Sequence, residues 1–187
     1  DSGAYRLFAP GNLGKGDFNL YRFFVEGALQ SVRSGGCVSQ IVPEGLYNGA
    51  NCMAIREELF EGWELTGLLG FENAREIWFT GIDSRTKFCI YAARRPGPTT
   101  TFPAAFIIRD QVGLSQAMRG GALAMPVTLV REFSPDALAV MEFGSQIDID
   151  IAAKMYACWP KFGDETAGPP HRQYMAEVHM GNDRHLF

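Results

Sequence analysis

The chain has 187 residues, 47% hydrophobic, 12% aromatic and 20% charged, the balance of a globular domain with a sizeable core rather than of a disordered or fibrous polypeptide. No apolar run approaches the roughly 20 residues of a membrane span, and no basic-then-apolar leader opens the sequence. The formal charge of −4, from 17 basic and 21 acidic residues, is the wrong sign for a protein that meets phosphates across its whole surface, so any nucleic-acid contact must rest on a local patch. Cys37, Cys52, Cys89 and Cys158 form no C-x-x-C pair and read as small buried hydrophobes in a reducing cytoplasm, with no zinc site. The first residue is Asp1, and the chain is expected to be a piece of a longer product.

Residues 1–17 are rich in Gly and Pro and read as a loop, with Asp17 as N-cap of the next segment. Over 18–34 the residues Tyr21, Phe24, Val25, Ala28, Leu29 and Val32 fall on one helical stripe, which Gly35-Gly36 stops. "CVSQIVP" is a short strand closed by Pro43, and a second helix is expected over about 51–60. "WELTGLLGF" and "KFCIYAA" are strands, 94–103 a Pro-rich turn, and "AAFIIR" another strand. A short helix over "DQVGLSQAMR" and an extended "MPVTLVREF" come next. Ser134-Pro135-Asp136 opens a helix to about Met141, and 148–159 form a last helix ended by Pro160. The tail carries a strand-like "QYMAEVHM". The alternation through residue 93 is an α/β pattern. It is also half a pattern, because a doubly wound sheet needs further parallel strands to cover its helices.

The stretch 14–62, "GKGDFNLYRFFVEGALQSVRSGGCVSQIVPEGLYNGANCMAIREELFEG", resembles the segment after the catalytic tetrapeptide in γ-type adenine-N6 DNA methyltransferases of restriction–modification and phage-defence systems. The pieces are Asn19-Leu20-Tyr21 opening a helix, the Gly35-Gly36 turn, a strand ending Ile41-Val42-Pro43, and a helix with Ile55-Arg56. "GFENAREIWFTGIDSRTKFCIYAA" is similar to that family's final hairpin, and "AEVHMGNDRHLF" to the passage from catalytic domain to target-recognition region. The resemblance implies the second half of a Rossmann-like, S-adenosylmethionine-dependent fold with a terminal β-hairpin over 1–95. It implies an α+β extension over 96–187.

The same resemblance implies roles. The family flips its target base out of the duplex and stacks it on an aromatic of the final hairpin. Phe79 takes that position, with Trp78 as its neighbouring alternative, and Thr80 stands where a Pro often occurs. Phe24 matches a ring beside the adenine of S-adenosylmethionine, and Pro43 closes the strand next to it. Both also have plain readings, as core packing and as a strand terminator. Arg85, Lys87, Arg94 and Arg95 put four positive charges around one hairpin, either a phosphate-contacting edge on double-stranded DNA or a solvated surface. His179, Asp183 and His185 match no metal-ligand spacing.

No Asn-Pro-Pro or Asp-Pro-Pro occurs in the sequence, and "GNLGKG" is preceded by no strand, so no catalytic residue is assigned and the chain alone is expected to be inactive. The cofactor would be held mainly by a missing N-terminal half. An orphaned half-sheet would expose an apolar edge and face, so a partner chain or self-association is expected. A second reading is a non-catalytic interaction or DNA-binding module on a methyltransferase-derived fold.

Overall fold

In the computed structural model, which describes residues 19–161, helix α1 (Tyr21–Ser31) buries Arg22, Val25, Glu26 and Leu29. Their i, i+3, i+4, i+7 spacing is that of a stripe facing a core. Phe24, expected on that stripe, is not part of it: its side chain is 70% exposed. It lies about 100° around the helix from the buried line through Val25. Asp17 and Phe18 lie outside the described residues, as do "QYMAEVHM", His179, Asp183 and His185. Gly35 takes φ 78°, a conformation that favours glycine. There the chain turns into the sheet through Gly35 N–H to Arg95 O (2.7 Å) and Arg95 N–H to Gly36 O (3.0 Å).

Strand β1 (Cys37–Pro43) covers the predicted segment. Next come α2 (Gly45–Asn48), a 3-10 turn over Ala50–Cys52 and α3 (Met53–Glu61). Strands β2 (Glu64–Glu72) and β3 (Lys87–Arg94) form a hairpin with a long connecting loop. After them come β4 (Thr101–Ile108), α4 (Gln111–Gln116), β5 (Leu123–Pro126), α5 (Val127–Phe133) and α6 (Gln146–Cys158). The single sheet has the order β1-β3-β2-β4-β5. β3 is antiparallel to both β1 and β2, β2 and β4 are parallel, and β4 and β5 antiparallel. β1 and β2 therefore run the same way with β3 reversed between them, joined by a helical crossover through α2 and α3, the connection parallel strands require.

Residues opposite one another in adjacent strands share a face. One face carries Val42, Cys89, Leu65 and Leu68 and packs on α1, α2, α3, α5 and α6 in the main core. The other carries Ile41, Ile90, Phe71 and Phe88. Phe71, Phe88, Ala105, Ile108 and Ala117 form a smaller cluster there with Trp78 and Leu114. Toward β1 this second face is open. Ile41 is 60% exposed, and Cys37, Ser39 and Pro43 beside it are exposed too.

Chain on both sides of residue 95 contributes to one sheet and one core. The crossover over β2 is pinned by buried Thr99. Its Oγ1 donates to Trp63 O (2.5 Å), lies 3.3 Å from Leu59 O, and accepts from Leu65 N (2.7 Å). Thr99→Val keeps the shape and strands these backbone groups, at an expected cost of about 2 kcal/mol. Urea unfolding of the variant checks this; a midpoint equal to wild type would contradict it.

Three further sequence expectations are corrected. Residues 127–133, expected to be extended from their β-branched content, form α5, because Val127 and Val130 bury at helical spacing and propensity yields to packing. Residues 134–141 form a turn rather than a helix. Leu138 N–H closes onto Ser134 O at 2.7 Å and Leu138 takes φ 53°. Leu138 and Val140 are both buried, two apart as in extended chain. Finally, Cys37 and Cys158 are exposed while Cys52 and Cys89 are buried, so only two of the four behave as core residues. Among the described residues no helix is long and apolar enough to cross a membrane, and no cluster of three or more His, Cys, Asp or Glu side chains is placed to hold a metal ion.

Candidate functional site

In open α/β sheets the ends where parallel strands terminate are where ligands bind. β1, β2 and β4 all finish on the same edge, at Pro43, Glu72 and Ile108. The loop 73–86 rises from that edge. On its underside Phe71 and Phe88 stack with centroids 4.8 Å apart and planes within 5°. Trp78 meets Phe71 edge-on at 5.1 Å, and Phe79 meets Phe88 edge-on at 4.9 Å. Edge-to-face and offset pairs at these separations are the favoured aromatic geometries. Trp78 is half-buried in this stack, whereas Phe79 remains 40% exposed. Phe79 is thus held in an edge-to-face contact with Phe88 while part of the residue is presented outward.

The loop is organised around a residue that no sequence motif singles out. Asn73 is 0% exposed. Its Nδ2 donates to Phe79 O and Ile82 O (both 3.0 Å), and its Oδ1 accepts from Phe79 N (2.9 Å) and Trp78 N (3.2 Å). Asn73 N–H also donates to Thr86 O at 2.9 Å, closing the loop at its base. Glu76 Oε2 accepts from Gly81 N at 2.9 Å. The signal for Asn73 is its place directly after a strand, in "GFEN", since Asn side chains commonly substitute for backbone partners in turns.

The four basic residues are not one patch. Lys87 and Arg94 begin and end β3, about 23 Å apart at the usual rise per residue. Arg85, with its side chain 88% exposed, folds onto Asp83 at 2.7 Å. Arg94 pairs with Glu64 at 2.5 Å. Arg95 lies over the Trp63 ring, 5.5 Å from its centroid, and reaches Val32 O. Arg85 and Lys87 thus belong to the carboxyl edge with Phe79, while Arg94 and Arg95 sit at the opposite end of the sheet.

Lys87 belongs to a small polar cluster at the same edge. Its Nζ lies 3.0 Å from Glu142 Oε2, and Glu142 Oε1 accepts from the Tyr47 hydroxyl at 2.5 Å. The Glu142 hydrogen bond raises the Lys87 pKa, so the ammonium stays charged. Burial first, and then the Glu142 hydrogen bond, push the Tyr47 phenol upward, so it remains a neutral donor. With one donor shared and one charge neutralised, this cluster holds the segment around Glu142 against the sheet.

Pro43 ends β1, exposed, opposite Phe88. Phe24 lies on the other face of the sheet from Phe79, since α1 packs against the Val38 and Val42 side of β1. Its carbonyl accepts from Gln40 Nε2 at 3.4 Å. Its ring has free surface to meet a flat ligand from one side. No acidic residue for a ribose and no glycine-rich cradle accompanies it among the described residues, so the fit to S-adenosylmethionine is that of one wall and no more.

The sequence matches no family model and no curated protein. Among solved structures, the fold is similar to a chain of a type I restriction–modification system, with TM-score 0.49, 16% identity, and coverage of 77% of this chain and 38% of that one. It is similar to a modification subunit assigned to a type I restriction enzyme from Vibrio vulnificus, with TM-score 0.45 and 15% identity over 59% of this chain and 26% of that one. It is also similar to the type IIG restriction endonuclease BpuSI, with TM-score 0.40 and 19% identity over 58% of this chain. The chain spans 38%, 26% and 12% of the lengths of these three proteins.

Proposed function

We propose that this chain is part of an S-adenosylmethionine-dependent adenine-N6 DNA methyltransferase of a restriction–modification or phage-defence system. In it the β2–β3 hairpin presents Phe79 to a flipped target base. The observation that carries the reading is Phe79, in edge-to-face contact with Phe88 yet 40% exposed at the edge where the parallel strands end. What supports the adenine-methyltransferase class is the order of motifs from Asn19-Leu20-Tyr21 through Phe79. Trp78, half-buried against Phe71, is the supporting ring rather than the contacting one.

Within this reading Phe24 contributes one wall of a cofactor pocket completed by chain outside the described residues, while Pro43, on the opposite face of the sheet with Ile41, ends β1 beside it rather than lining the same wall. Bound there, S-adenosylmethionine supplies an electrophilic methyl group. The residues of this chain bind and orient: Phe79 offers a π-face to the base, and the loop keeps that face at the sheet edge. Arg85 and Lys87 are the two basic residues placed to approach a DNA backbone beside it. Each would have to exchange its present carboxylate, Asp83 or Glu142, for a phosphate. The open face around Ile41 is the surface against which the rest of the catalytic fold would pack.

Phe79→Ala is expected to weaken binding of an extrahelical base by about 1–3 kcal/mol, the usual worth of one base–aromatic stack. A duplex carrying 2-aminopurine opposite an abasic site reports this by fluorescence. Unchanged fluorescence titrations, together with unchanged methylation kinetics in a longer protein containing this chain, would remove the assignment.

One observation favours the second reading, a non-catalytic interaction module. α6 turns Ile147, Ile151 and Met155 outward, each more than half exposed, at the i, i+4 spacing of a helix seam. Methyl transfer by a longer protein containing this chain separates the two readings.

A further inference from the structure

We propose that Asn73 is the positioning residue of the hairpin site, holding the Phe79 ring in its base-accepting attitude before any base arrives. The assignment rests on the reading of Phe79 as a base contact. It starts from a contrast within six residues. Phe79 is 40% exposed, while Asn73, six residues before it, has no exposed surface. An amide side chain has two N–H donors and an acceptor oxygen with two lone pairs. Asn73 commits all four, and every partner is loop backbone: the N–H groups of Trp78 and Phe79, and the carbonyls of Phe79 and Ile82. Phe79 is therefore held through both its own amide and its own carbonyl by one buried side chain.

The rest of the loop is built to the same end. Arg75 and Glu76 take φ 56° and 57°, uncommon for residues with side chains. These turns fold the chain back over Asn73. Phe79 meets Phe88 in an edge-to-face contact, and Phe88 is itself stacked on Phe71. With backbone and ring both held, the exposed part of Phe79 stays in one orientation. A base that docks on it does not have to order the loop first, and avoiding that ordering is how preorganisation raises affinity.

Asn73→Asp is nearly isosteric, keeps the acceptor oxygens and removes both donors to the Phe79 and Ile82 carbonyls. Its titration against the 2-aminopurine duplex is made at a temperature where the variant's circular dichroism shows it folded. The expected result is affinity about tenfold weaker and a slower, saturating approach to equilibrium, because loop ordering now precedes stacking. A purely structural Asn73 would lower the melting temperature and leave the affinity of the folded protein unchanged, which would overturn the proposal. Phe79→Ala is the control that separates the two claims. If Phe79→Ala loses the signal and Asn73→Asp binds as wild type, Asn73 is not the positioning residue but the base contact stands. If Phe79→Ala binds as wild type, or the wild-type chain gives no response, the base contact falls and this assignment with it.

Amide hydrogen exchange in the wild-type chain tests the same geometry without any variant. The Trp78 and Phe79 amides, on an otherwise exposed loop, should exchange at least 100-fold more slowly than those of Thr80 and Ser84. Equal rates would overturn the proposal even if Asn73→Asp does not fold.

Discussion

Arg56→Met should unfold with a stability loss of about 3–5 kcal/mol, the largest expected for a single substitution in this chain. Arg56 is 2% exposed, and its guanidinium donates to the carbonyls of Leu46 (2.7 Å), Gly49 (2.7 Å) and Ala137 (2.5 Å). Two of these lie in or just after α2, and the third lies 81 residues on, in the turn after α5. Methionine fills the space but leaves the Leu46 and Ala137 carbonyls without the donors Arg56 supplies, each costing about 1–3 kcal/mol before relaxation, while Gly49 O keeps its bond from Cys52 N–H at 3.1 Å. Burial lowers the Arg56 pKa to about 10, still well above neutrality, so the group is charged at pH 7 in folded and unfolded chain alike. Arg56→Lys should recover about half the loss, because one ammonium cannot span the fork of acceptors that a planar guanidinium reaches. Urea denaturation of both variants checks the prediction. A loss under about 1 kcal/mol for the methionine variant would show that the carbonyls find other partners.

The second large effect is alkaline unfolding. Burial raises the pKa of Cys89, Tyr21, Tyr47 and Tyr91, with hydrogen bonds from Cys52 at Tyr21 and Glu142 at Tyr47 adding to it. For each, the protonated form is favoured by folding. Their stabilisation is complete below the unfolded values near pH 9 for the thiol and pH 10 for the phenols. It is lost as pH rises from there toward the higher folded values. Arg56 acts in the opposite sense. Its folded value is depressed to about 10, so its desolvation penalty, full at neutral pH, is relieved above that. Four groups against one leave the folded chain holding more protons than the unfolded chain above roughly pH 10, so stability falls as pH rises there. Phenolate absorbance near 295 nm should rise steeply and together with loss of near-ultraviolet circular dichroism. A broad tyrosine titration centred on pH 10 with retained dichroism would contradict it.

Much of the fold was legible because local signals agreed with tertiary demand. "CVSQIVP" becomes β1 residue for residue, and α1 forms where its stripe was read, although it ends at Ser31 ahead of Gly35-Gly36. "WELTGLLGF" and "KFCIYAA" become β2 and β3, and the short helix expected over "DQVGLSQAMR" forms as α4, capped by Asp110 through Gly113 N. The misreadings fall where two local signals compete. "VTLVREF" has strand-like composition and helical spacing, and spacing prevailed because Val127 and Val130 had a core to enter. Ser-Pro-Asp is a good helix opening, yet the chain beyond it must carry Leu138 and Val140 along α2, where Val140 N–H meets Tyr47 O at 2.8 Å.

The candidate site divides in the same way. Phe79 was visible from its place in a recognisable hairpin. The separation of Arg85 and Lys87 from Arg94 and Arg95 was not, because eight residues of strand are a short stretch of sequence and a long distance in space. Glu142 and Thr99 were invisible as well, because each acts through partners that only folding brings near, 95 residues apart in the case of Tyr47 and Glu142. Asn73 acts within its own loop and left only the weak signal of an Asn directly after a strand.

By itself, then, the sequence determined what is periodic or local: α1, α3 and the three strands of the β1 to β3 half. Tertiary structure decided which face each side chain occupies, which charges are already paired, and how β4 and β5 extend the sheet past residue 95. The physical reason is that periodicity and turn chemistry act over a few residues. Burial, ion pairing and sheet order are settled by surfaces that meet only when distant segments have packed.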